Sequence, residues 1–279
     1  MKPVGPIDTV DLFPELHAEL VQLLSGLTAE EWQKPTVCAP WLVKDVAAHL
    51  LDGMIRRLSF QRDSLPLLQP ETPIQSQQEL IGFLDQLNAD WIKASQRISP
   101  KLLVAFLELT GSMVFELFKR LDQEAPAMFS VGWAGDDVSP NWFDIAREYT
   151  EQWLHQQHIR DAVGVPNLFE RHLAYPVLDA FMRALPRTYE QVDAADSESV
   201  VVVITGEAGG EWSLLRQGGR WDLFGGEASG ATTKICLDQD TAWRMFTKGI
   251  GVDEARQRLT ISGDKEMGEP FLHMVSIMA

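Results

Sequence analysis

Apolar residues recur at three- and four-residue spacing through the first 165 positions, the periodicity of helices with one buried face. Leu12, Leu16, Leu20, Leu23 and Leu24 mark a first helix that ends near Gly26. Thr28-Ala29-Glu30-Glu31 has the form of a capping box and predicts a short turn. A second helix follows Pro40, with Val43, Val46, Ala47, Leu50 and Met54 on one face. Leu80, Phe83, Leu84, Leu87 and Trp91 predict a third. Lys101–Leu121 reads as another, interrupted around Thr110-Gly111 because glycine weakens a helix interior. The last long helix runs from about Asn141 to Val163 and stops at Gly164-Val165-Pro166. This is the pattern of an up-down helical bundle.

The pattern changes after a further helix at His172–Leu185, in which Pro176 is placed to introduce a kink. Val200–Ile204, Trp212–Leu215, Trp221–Phe224 and Thr232–Leu237 alternate with glycine-rich turns and read as short strands. A helical segment at Thr241–Thr247, the strand-like Leu259-Thr260-Ile261 and a C-terminal helix from about Met267 complete the chain. Strands and helices are segregated, which predicts an α+β domain. Gly206-Glu207-Ala208-Gly209-Gly210 misses the dinucleotide spacing and leads into a strand, so no Rossmann unit is expected. The expected domains are a helical bundle over 1–166 and a smaller α+β domain over 167–279.

Composition narrows the partners. The 279 residues carry 24 Lys+Arg against 40 Asp+Glu, a formal net charge of −16. Such a surface repels phosphate backbones and anionic headgroups, so neither nucleic acid nor membrane is an expected partner. No apolar run approaches the roughly 20 residues of a membrane span, and the opening residues lack a signal-peptide core. The two cysteines, Cys38 and Cys236, form neither a disulfide framework nor a Cys-x-x-Cys pair. The expectation is a cytoplasmic protein, as a monomer or homodimer. Cys38 has no histidine beside it in sequence and is not read as a nucleophile.

The informative residues lie on the last bundle helix. Glu151 and His155 are four apart and share a helical face, His158 continues it three residues on, and Glu148 precedes it. A carboxylate and imidazoles so arranged suit a divalent metal such as zinc, whose catalytic sites take three protein ligands and keep a position open. A further ligand must come from another helix, and His49, within Val46-Ala47-Ala48-His49-Leu50-Leu51, is the best candidate among the chain's six histidines. Spacing alone leaves two alternatives open: a solvated polar face for the Glu-x-x-x-His pair, and a hydrogen-bonded core histidine for His49. Asp45 and Asp52, each one turn from His49, are placed to orient its ring.

Cys38-Ala39-Pro40-Trp41-Leu42-Val43-Lys44-Asp45-Val46-Ala47-Ala48-His49-Leu50 and the segment Arg147–Gly164 resemble two signatures of the mycothiol-dependent maleylpyruvate isomerase family, one of the DinB-like metal-binding four-helix bundles. The resemblance implies a DinB-like four-helix bundle holding zinc through His49, Glu151 and His155. His158 departs from the pattern and allows the alternative set His49/His155/His158. The glycine-rich strands and Ile261-Ser262-Gly263-Asp264 resemble the sterol-carrier-type α+β domain appended in that family. The implied activity is that of a thiol-dependent isomerase or S-transferase. A low-molecular-weight thiol, deprotonated at the metal, would attack a small electrophilic substrate. Arg147, Arg160 and Arg216 are candidates to bind an anionic substrate, without motif support. The alternative is a non-enzymatic, metal-stabilised protein that holds an apolar ligand in its C-terminal domain.

Overall fold

The protein is described here as a computed structural model that covers residues 1–70 and 72–277, the side chain of Gln77 apart. Its chain divides into two compact units. One comprises Thr9–Met128 and Glu148–Asn167; the other comprises Met1–Asp8, Phe129–Arg147 and the chain from Leu168 onward.

The first unit is helical. Helix α1 (Phe13–Gly26) buries Phe13, Leu16, Leu20 and Leu24, the four-residue spacing that puts them on one face. Helix α2 (Val43–Arg56) starts where the Asp45 carboxylate accepts the Leu42 N–H at 3.0 Å, and a π-helical turn at Arg57–Arg62 prolongs it. Helix α3 (Gln77–Ser95) is capped by Ser76, whose hydroxyl accepts the Glu79 N–H, and Trp91 ties it to α2 by donating to the Ala48 carbonyl at 2.7 Å. Helix α4 (Pro100–Phe118) begins at the Ser99 cap and buries Leu103, Leu107, Val114, Leu117 and Phe118. It runs unbroken through Thr110-Gly111, where the sequence pattern predicts an interruption. The His17 ring of α1 occupies the space beside Gly111: a Cβ there would lie 2.3 Å from His17 Nε2. The glycine marks a close approach of two helices, and a single glycine costs a helix only about 1 kcal/mol.

Helix α5 (Asn141–Val163) ends at Gly164, which takes a φ of +80°. From Glu148 onward it belongs to the helical unit. Its polar stripe is largely interior: Gln156, Gln157 and His158 are buried beside Tyr149, Trp153 and Ile159. Gln156 donates to the Leu16 carbonyl of α1 at 3.1 Å, and Arg160 pairs with Glu19 of α1 at 2.8 Å. Along the stripe His158 is buried and His155 nearly so, whereas Glu151 keeps a third of its side chain exposed, so the stripe runs from the surface into the interior.

The second unit is α+β. Its six-stranded sheet has the order β1-β4-β3-β2-β5-β6, built from β1 (Lys2–Pro3), β2 (Ser199–Thr205), β3 (Gly210–Gln217), β4 (Arg220–Gly225), β5 (Thr233–Asp238) and β6 (Thr260–Gly263). Neighbouring strands are antiparallel except β2 and β5, which run parallel. Strand β1 has no hydrophobic alternation of its own and exists through its pairing with β4. Helix α6 (Arg171–Met182) passes through Pro176 and is followed by the short α7 (Leu185–Thr188). Helix α8 (Gln239–Phe246) is capped by Asp238, and α9 (Val252–Arg258) is too charged for its sequence to signal. The core joins Phe181 of α6 to Phe246 of α8 and Phe271, with Trp212 donating to Asp179 at 2.7 Å. The C-terminal helix expected from Met267 is instead one turn, α10 (Lys265–Gly268), and a 3₁₀ stretch at Glu269–His273. Pro270 has no N–H to donate, which prevents an α-helix from continuing there.

Candidate metal centre

Helix α2 carries His49 and α5 carries Glu151, His155 and His158, all within the helical unit. One ligand atom from each of His49, Glu151 and His155 lies within 4.8 Å of the others. His155 Nε2 stands 3.3 Å from Glu151 Oε2, and the rings of His49 and His155 meet edge-to-face with centroids 4.8 Å apart. Tetrahedral zinc bound at about 2.0–2.2 Å spaces its ligand atoms by about 3.3–3.5 Å, so the separation of imidazole and carboxylate matches the edge of such a site. Trp41 covers His49 on another side, its ring centroid 5.0 Å away.

The electrostatics suit a cation. Burial, reinforced by the charge of His155, pushes His49 down to about 3, so its imidazole is neutral and keeps a lone pair to donate. Burial also pulls His155 down, but the neighbouring Cys38 sulfur and the Glu151 carboxylate outweigh it and leave the ring at about 9. The surroundings of His155 thus stabilise positive charge. Among the described residues Nδ1 of His49 is buried without a hydrogen-bond partner, which costs about 1–3 kcal/mol unless a ligand meets it. Two imidazoles, a carboxylate and an unsatisfied buried nitrogen fit a divalent metal of zinc type.

Other residues that the sequence brought forward do other things. Glu148 pairs with Arg57 at 2.9 Å. Asp45 caps α2 and accepts from Gln96 at 2.7 Å, and Asp52 pairs with Arg56 at 3.1 Å, so among the described contacts both carboxylates serve partners other than His49. Arg160 holds Glu19 and the Pro166 carbonyl. Arg147 and Arg216 belong to the α+β unit, Arg147 paired with Asp144 at 2.9 Å and Arg216 stacked over Trp221.

Cys38 is what the sequence reading missed. A turn holds it: its N–H donates to Thr36 Oγ1, that hydroxyl donates to the Trp41 carbonyl, and the Trp41 N–H returns to the Cys38 carbonyl at 2.9 Å. Its sulfur lies 3.0 Å from Nδ1 of His158, a residue 120 positions away. No local spacing rule reaches that far. The available signal was the position of Cys38 two residues before the Pro40-Trp41 pair that leads into α2.

Comparison with known proteins agrees with the fold and the helices that carry these residues. The family model described as the mycothiol maleylpyruvate isomerase N-terminal domain matches residues 13–160, more than half of the chain. A crystal structure of the mycothiol-dependent maleylpyruvate isomerase aligns with a TM-score of 0.55 at 10% identity, covering 91% of each chain. A histidine-to-alanine mutant of that isomerase aligns at 0.53 and 9% identity, again over 91% of each chain. No curated protein sequence matches significantly. The helical and α+β architecture is therefore that of this isomerase, and the chain belongs to the mycothiol maleylpyruvate isomerase family defined by that N-terminal domain.

Proposed function

We propose that this protein is a zinc-dependent enzyme that uses a low-molecular-weight thiol of the mycothiol type to isomerise, or to conjugate, a small electrophilic alkene. The observation that carries the reading is the convergence of His49, Glu151 and His155 from two helices in a chain of this family. Zinc held by the three would supply Lewis acidity that lowers the pKa of a thiol. His49, neutral through burial, keeps its lone pair at neutral pH. Glu151 supplies negative charge against the metal and fixes His155 by their 3.3 Å contact. Trp41 packs on the His49 ring and limits its rotation.

The substrate chemistry balances without a redox partner. The thiolate adds to the activated carbon of the double bond, the former double bond turns, and the thiolate leaves with its electron pair. Substrate and product then differ only in geometry. An electrophile from which sulfur does not leave takes up a proton and gives a thioether. Arg160, in the same helical unit as the trio, is a proposed contact for an anionic substrate, to be tested by a neutral variant whose KM should rise. The proposed domains remain a metal-binding bundle over 1–166 and an α+β domain over 167–279, with Met1–Asp8 and Phe129–Arg147 packing into the α+β unit.

The test begins with metal content. Protein purified without added zinc is compared with His49→Ala and His155→Ala; the reading expects metal in the first and a marked loss in both variants. Equal metal in all three would overturn it. The wild type is then offered maleylpyruvate with mycothiol, bacillithiol or glutathione. Turnover with one thiol, absent in His49→Ala, supports the enzyme, whereas no turnover and apolar-ligand binding indifferent to His49→Ala would favour the binding protein.

A further inference from the structure

His155 has donor groups on both edges of its ring. Nε2 faces Glu151 at 3.3 Å, whereas Nδ1 faces Nδ1 of His158 at 3.4 Å. Beyond His158 stands the Cys38 sulfur at 3.0 Å, and one ligand atom from each of Cys38, His155 and His158 lies within 4.8 Å of the other two. A metal-bound histidine usually turns its second nitrogen to a carboxylate, a carbonyl or water. Here that edge meets a thiol and a second imidazole, which are themselves zinc ligands. The separation of the two Nδ1 atoms equals the edge of a tetrahedral zinc site, and the sulfur need retreat by only about 0.5 Å to reach the sulfur–nitrogen edge. His158 is buried and Cys38 and His155 are half-buried, so the group lies partly covered rather than free on the surface.

We propose that Cys38, His158 and Nδ1 of His155 form a second binding position for a thiophilic divalent cation, back to back with the His49–Glu151–His155 position across a single imidazole ring. A neutral imidazole has one lone pair and one N–H, so His155 serves one position at a time, and the two are alternatives for one ion. Binding on the Cys38 side releases to solvent the thiol proton together with the proton that a charged His155 ring carries on Nδ1, and leaves the other His155 proton on Nε2, facing Glu151 as a hydrogen-bond donor. On that side the protein itself provides the sulfur ligand; on the other side a thiol must come from outside. The turn through Thr36 and Trp41 fixes Cys38 for this role. The proposal goes beyond the proposed function, shares only His155 with it, and needs neither an external thiol nor turnover.

Cobalt(II), added alone to the metal-free full-length protein, tests it, because thiolate coordination gives an intense near-ultraviolet charge-transfer band that imidazole and carboxylate do not. The wild type should show the band. Cys38→Ser should lose it while retaining cobalt through the other position, and His49→Ala, which loses its zinc on purification under the proposed function, should still take up added cobalt and show the band. His158→Asn, with unchanged circular dichroism, should weaken the band severalfold. No band in the wild type, or a band that survives in Cys38→Ser, overturns the proposal. A wild type without the band whose cobalt is lost in His49→Ala removes this inference and leaves the proposed function standing. A Cys38-dependent band kept in His49→Ala, in a protein inactive with every thiol, supports this inference and removes the proposed function.

Discussion

Replacing Gly111 by alanine should destabilise the protein even though alanine is the better helix former. An alanine Cβ would lie 2.3, 2.4 and 2.6 Å from Nε2, Cε1 and Cδ2 of His17, more than 1 Å inside ordinary contact. The backbone of α4 is fixed by its neighbours, so the imidazole must swing away and abandon its packing between α1 and α4. Overpacking of this kind costs about 1–3 kcal/mol, against a gain of about 1 kcal/mol from removing an interior glycine. With His17→Ala already made, the obstruction is gone and only the gain remains. Gly111→Ala should then stabilise by up to about 1 kcal/mol, so the substitution changes sign between backgrounds. Urea unfolding of the four proteins at equal metal concentration measures the cycle, with the slope m checked for constancy. The same stabilisation in both backgrounds, with a coupling energy below about 0.5 kcal/mol, would refute the packing argument.

Three further outcomes are expected. Burial lowers the pKa of His17 from 6.5, against the opposing Leu107 carbonyl and Glu108 charge. Below pH 6.5 the unfolded chain therefore takes up a proton that the native ring resists, and stability present above 6.5 falls as pH drops toward the native value. Urea midpoints at pH 7.5 and 5.5 should fall less in His17→Leu than in the wild type; equal falls would rule out His17 as the cause. Arg57, 3% exposed and paired with Glu148, should cost about 3–5 kcal/mol when changed to Met, because a largely buried ion pair is broken. Arg57→Met/Glu148→Leu should recover most of that loss, and a double variant as unstable as the single one would contradict the assignment. Zinc at about 1,000 times its Kd should raise stability by about 4 kcal/mol, a shift in melting temperature that chelator reverses and His155→Ala abolishes. A melting temperature indifferent to zinc and chelator would count against metal binding to the native state.

Local order was readable where the chain repeats a period. The leucines of α1, the valines of β2 and the Gly164 stop of α5 each announce themselves within a few residues. The trio His49, Glu151 and His155 was also readable, in part because Glu151 and His155 are four apart and in part through the Pro40-Trp41 and Asp45-x-x-x-His49 resemblance. Less readable were segments whose structure depends on distant partners. Strand β1 exists because β4 pairs with it, α9 is mostly charged, and Gly111 reads as a helix break until His17 is seen beside it.

The sequence by itself determined the periodic elements, the acidic surface and the helices that carry imidazole and carboxylate, because these depend on composition and on spacings of three or four residues. Tertiary structure decided which polar residues face inward, that Glu148 serves Arg57, and that Cys38 comes within 3.0 Å of His158. It also set the two edges of His155 toward two different groups. The physical reason is one of range. A helical repeat fixes which side chains share a face, but burial, pKa and coordination depend on what packs against that face, and here the partner can be 120 residues away.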